Sequence, residues 1–67
     1  MKLTQSQRAR MTSDIIENMR AKWKEWGEEE NGDWEDGERH LRDDASVSEL
    51  LGELEKWVPE KPAKSYL

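Results

Sequence analysis

Seven of the eleven residues in the stretch 28–38, EEENGDWEDGE, are carboxylates: Glu28, Glu29, Glu30, Asp33, Glu35, Asp36 and Glu38. Oxygen donors at that density invite three kinds of chemistry. They can hold a hard divalent cation, run general acid–base steps, or meet a basic partner. Acid–base work requires one carboxyl to be desolvated so that its pKa climbs towards neutrality. So polar a stretch offers nothing to desolvate it, and the same holds for the adjacent pair Asp43 and Asp44. The one histidine, His40, stands between Arg39 and Leu41 with Arg42 close behind. No pattern supplies the base-and-orienter arrangement that nucleophilic catalysis needs. The chain has no cysteine, hence no thiolate metal site or disulfide, and no glycine-rich phosphate loop. Neither an enzyme nor a bound cofactor is expected.

The cation reading can be tested against a known ligand spacing. The twelve residues from Gly27 to Glu38 resemble in part the calcium loop of an EF-hand. Glu29 falls at the third position, Asn31 at the fifth, Gly32 at the sixth, Glu35 at the ninth and Glu38 at the twelfth, with Trp34 at the apolar eighth. The resemblance covers this loop alone. It departs at the first ligand, where Gly27 stands in place of an aspartate, and at the third, where glutamate is one methylene too long. Without the carboxylate that opens the coordination sphere, no metal site is expected.

A basic partner remains. Residues 1–27 carry a net charge of +3 and residues 28–67 a net charge of −8. An acidic surface of this kind can imitate a phosphate backbone and occupy the basic groove of a nucleic-acid-handling protein. Small inhibitors carried by phages and mobile elements are proteins of this general type. The partner-binding residues are then the seven carboxylates above, and the partner is a protein with a basic surface. Arg8, Arg10, Arg20, Lys22 and Lys24, interleaved with Trp23 and Trp26, also suggest a basic nucleic-acid-binding helix, as in repressor-like or antitoxin-like proteins. Those tryptophans, however, share a stripe with Ile15 and Met19, and the pI is about 4.8. Direct nucleic-acid binding is not expected.

Two helices must position these groups. Apolar residues at Met11, Ile15, Ile16, Met19, Trp23 and Trp26 fall on one helical face. Thr4 and Gln7 read as a capping box, which starts the helix at residue 5, and Gly27 reads as its stop. This span of about 5–26 places Arg8 and Arg10 near the positive end of the helix dipole, an unfavourable location. A start near Ser13 would avoid that. The second helix, about 47–58, has Ser46 as cap, Glu49 three residues on, and a face of Val47, Leu50, Leu51, Leu54, Trp57 and Val58. Pro59 ends it. Gly52 within it either admits a close neighbour or faces solvent. Between the helices lies the acidic connector, with turns expected at Asn31-Gly32 and Asp36-Gly37 and room for a short helix pinned by Trp34 and Leu41. Residues 59–67 read as a tail, with Tyr66 and Leu67 either docked or frayed.

The 67 residues allow one small domain, 1–58, and only ten of them are Leu, Ile, Val or Phe. That is near the level at which chains fail to fold alone, but four tryptophans add large apolar area. The fold expected is all-α, a small helical hairpin of two main amphipathic helices. Two such stripes bury each other incompletely, so a homodimer is expected to complete the core. Its core or interface residues would be Ile15, Ile16, Met19, Trp23, Trp26, Leu50, Leu51, Leu54 and Trp57. No apolar run approaches the ~20 residues of a membrane span, and no signal peptide is evident; the chain reads as cytoplasmic. The functional expectation is a small acidic protein–protein interaction module of the inhibitor type. The alternative is a structural or regulatory adaptor that docks a partner helix on its apolar stripe.

Overall fold

The computed structural model of the chain describes residues 2–27 and 34–67, all of whose regular structure is helical. Helix α1 spans Gln5–Glu25, α2 spans Trp34–Arg39, a π-helical turn follows over His40–Asp44, and α3 spans Val47–Trp57. A short 3₁₀ turn, Ala63–Tyr66, ends the chain.

The long form of α1 is the one that forms. The Thr4 hydroxyl accepts from the Gln7 backbone N–H at 3.1 Å, and the Gln7 side chain accepts from the Thr4 N–H at 2.8 Å. Two of the four donors left free at a helix start are thereby satisfied. At the other end Gly27 takes φ +78°, a left-handed conformation that L side chains avoid, and its N–H returns to the Lys24 carbonyl. The cap of α3 is half of what the sequence promises. Ser46 Oγ accepts from the Glu49 N–H at 3.1 Å, but the Glu49 carboxylate turns instead to His40.

Contacts along the helices fix their directions. Arg8 reaches the carbonyls of Arg42 and Ala45, while Trp23 meets Trp34, so α2 and the π turn run back along α1. Asn18, ten residues beyond Arg8, donates to the Trp57 carbonyl at 2.8 Å at the far end of α3. The two main helices pack on one another, but not as the antiparallel pair that a hairpin implies. They run in the same direction because the connector itself makes the return.

The core lies between them. Met11, Ile15, Ile16, Leu41, Ala45, Leu50, Leu54, Val58 and Tyr66 are buried, with Leu3, Met19, Trp34, Leu51, Trp57 and Ala63 packed around them. Both expected stripes are therefore used within one chain. One expectation changes and one open alternative is settled. Asp36 and Gly37 lie inside α2 and make no turn. Glu35 and Asp36 in its first turn and Arg39 in its last match the helix dipole, which favours helix over turn at that point. Gly52 has no atom within 4 Å of where a Cβ would sit, so it marks no close approach.

The basic residues near the start of α1 have structural tasks. The Arg8 guanidinium caps the half-buried carbonyls at the end of the π turn, with Nε 2.7 Å from the Arg42 oxygen. Gln5 adds a bond to Asp43 at 3.0 Å. The Arg10 guanidinium lies 5.7 Å from the centroid of the Tyr66 ring. Tyr66 itself closes the chain onto α1. It is buried, its hydroxyl donates to Asp14, and Lys61 pairs with the same carboxylate at 3.6 Å. Burial first, then the bond to Asp14, pushes the Tyr66 phenol up to about 12.

Candidate functional site

Past Ile16 the core opens. The second half of α1, Trp34 and Gly37 of α2, the start of the π turn and one face of α3 surround a groove of about 470 Å³. Helical spacing puts Ile16, Met19 and Trp23 along one line of α1, and they form its base with Leu41. Trp34 stands at one side, its ring perpendicular to that of Trp23 at 89° with centroids 5.9 Å apart. This edge-to-face arrangement is the one favoured by the ring quadrupoles. Trp57 forms the other side. Its indole N–H is held by the Glu53 carboxylate at 2.9 Å, and the Lys56 ammonium lies 5.2 Å from its ring centroid. Gly37 leaves the α2 edge open.

The polar groups at the rim are His40, Glu49 and Glu53. His40 Nε2 lies 3.3 Å from Glu49, which ties the π turn to α3 across the mouth. The π turn closes with a bond from the Ala45 N–H to the His40 carbonyl at 2.7 Å, so the position of His40 is set by backbone geometry. Within the walls, Trp34 Nε1 is shut off from solvent and has no hydrogen-bond partner among the described residues.

The expected core or interface residues divide. Ile15, Ile16, Leu50 and Leu54 are buried in the single chain. Met19, Trp23, Leu51 and Trp57 are partly buried, and three of these four line the groove. Trp26 lies outside the core and is 61% exposed, as the residue that caps the end of α1.

Of the expected partner-binding carboxylates, Glu28, Glu29, Glu30 and Asp33 lie outside the described residues, as does most of the calcium-loop match. Glu35 and Asp36 are exposed on α2, and Glu38 is half-buried, sharing a shallow depression with Arg20 and Lys24. Among the described residues no three His, Asp or Glu side chains are grouped to hold a metal ion. Asp43 is held below the usual carboxylate range by hydrogen bonds from Arg42 and Gln5, a structural pairing on the surface. No helix among the described residues is long and apolar enough to cross a membrane.

What sequence reasoning missed is the juxtaposition. Trp23, Trp34 and Trp57 stand out individually, but no local spacing announces that three separate elements bring them to one groove. The chain matches no family model, no curated protein and no solved structure.

Proposed function

We propose that this chain is a protein–protein interaction module whose docking surface is the tryptophan-walled groove between α1, α2 and α3. The observation that carries the reading is the groove itself: three aromatic side chains and Met19 left accessible around an otherwise closed core. Tryptophan and methionine are enriched where proteins meet, because they bury much area with few rotatable bonds or adapt to irregular shapes. Such a groove suits the apolar stripe of a partner helix.

The test is capture from extracts of the cells that make the protein, with wild type and Met19→Asp compared at low salt and at about 1 M salt. Docking in the groove predicts a partner that survives high salt and is lost with Met19→Asp. A partner retained by that variant overturns the reading.

A second reading rests on Glu35 and Asp36, exposed on α2 with no ion pair among the described residues. Together with the acids at 28–33 they would meet a basic protein surface, as an inhibitor of a nucleic-acid-handling protein does. Under that reading the partner leaves as salt rises, and Glu35→Lys with Asp36→Lys weakens capture while Met19→Asp does not. Either reading is compatible with a homodimer, which light scattering across a dilution series would reveal.

A further inference from the structure

The groove also has a charge, and the charge selects among occupants. Its two acidic rim residues are Glu49 and Glu53, four residues apart on α3 and hence on the same face. Among the described residues, no lysine or arginine lines it. Three nearby cations have partners of their own, one of them on the groove wall. Arg42 pairs with Asp43 at 3.2 Å, Lys56 sits over the Trp57 ring, and Arg8 caps the π turn. The carboxylates border a largely apolar, aromatic surface, beside which a charge is screened less than in open solvent. Like charges placed there would repel.

We infer that the groove's occupant is a basic amphipathic helix of a protein partner. Its apolar stripe enters between Trp34 and Trp57, and Lys or Arg residues one turn apart beside that stripe meet Glu49 and Glu53. The i, i+4 spacing on α3 matches the i, i+3 or i, i+4 spacing of cations on the incoming helix. His40, across the mouth, holds the Glu49 carboxylate in place. This inference rests on the docking reading above and specifies its partner.

Two model peptides test it: amphipathic helices with identical leucine stripes, one carrying lysines and the other glutamates on the polar face. Affinities are read by calorimetry at about 0.15 M salt, where diffuse attraction to an acidic protein is screened beyond roughly 8 Å. The Leu/Lys peptide is expected to bind at least about tenfold more tightly than the Leu/Glu peptide. Glu49→Gln with Glu53→Gln lowers Leu/Lys affinity about tenfold. Glutamine still accepts from Trp57, so the wall stays in place. Glu17→Gln with Glu55→Gln removes the same charge from exposed sites off the groove and changes little. Circular dichroism checks that both variants remain folded.

Equal binding of the two peptides overturns the inference and leaves groove docking intact. So does an equal loss in both double variants, which would mean that only net charge matters. If neither peptide binds and the protein is a dimer that Met19→Asp dissociates, a second copy fills the groove and both readings fall.

Discussion

Arg8 is the residue on which the path of the connector most depends, and Arg8→Met is the perturbation that isolates its role. Methionine keeps most of the apolar stem and removes the guanidinium, leaving the Arg42 and Ala45 carbonyls without their charged donor. Hydrogen bonds to charged groups contribute roughly 1.5–3 kcal/mol, and half-buried acceptors stripped of a donor fall at the lower end. Two such bonds give an expected loss of about 2–4 kcal/mol. For a chain this short, each kcal/mol corresponds to roughly 7 °C in Tm, so the variant should melt about 15–25 °C below wild type. The loss also has a location. Freed at its end, the π turn no longer holds α2 against α1, so the near-ultraviolet dichroism from the Trp23–Trp34 pair should diminish before the far-ultraviolet helical signal does. Arg8→Lys should recover less than half the stability, since an ammonium lacks the planar fork that reaches both carbonyls. The assay is thermal melting followed at both wavelengths. An Arg8→Met protein that melts within about 3 °C of wild type, with its aromatic dichroism unchanged, would refute the reasoning.

Other consequences are simpler. The Tyr66 phenol is raised from its ordinary 10.0 to about 12, so folding binds its proton more tightly. Its contribution is complete below pH 10 and is lost as the pH rises through about 12, on the order of 2–3 kcal/mol. Denaturant midpoints measured between pH 8 and 11.5 should therefore fall more steeply in wild type than in Tyr66→Phe, which has no proton to lose. Gly52→Ala, at an exposed helical site with nothing near the new methyl, should stabilise by about 1 kcal/mol in the same denaturation assay. Thr12 is buried with its hydroxyl unpartnered, so Thr12→Val should be neutral or gain up to about 1 kcal/mol. A clear loss of stability would mean that the hydroxyl has a hidden partner.

Local features were legible in the sequence because their causes are local. Thr4 and Gln7 lie three residues apart and cap α1 reciprocally; the stripes at Met11, Ile15 and Ile16 and at Leu50 and Leu54 follow the helical period into the core. Pro59 stands just past the end of α3. The rest depends on contacts between distant positions. Arg8 looks misplaced at the start of a helix until the carbonyls 34 and 37 residues away are in view. The burial of Tyr66 rests on Asp14, 52 residues earlier, and no composition rule links the two. Trp26 shares the period of its stripe yet stays exposed, since periodicity tells which side a residue faces and not whether anything stands there. The direction of α3 relative to α1 has the same origin, for it is set by how far back the connector travels. The groove combines all three limits, which is why its tryptophans were visible and its shape was not.

The indole N–H resonances of the four tryptophans offer the most direct measurement. In a nitrogen-15 spectrum of the folded protein they can be followed while the Leu/Lys helix is added. Docking in the groove predicts that Trp23, Trp34 and Trp57 shift together, Trp57 most because its N–H is shared with Glu53, while Trp26 stays in place. Unmoved groove tryptophans, with changes confined to Trp26 or to the backbone amides of the acidic residues, would contradict it.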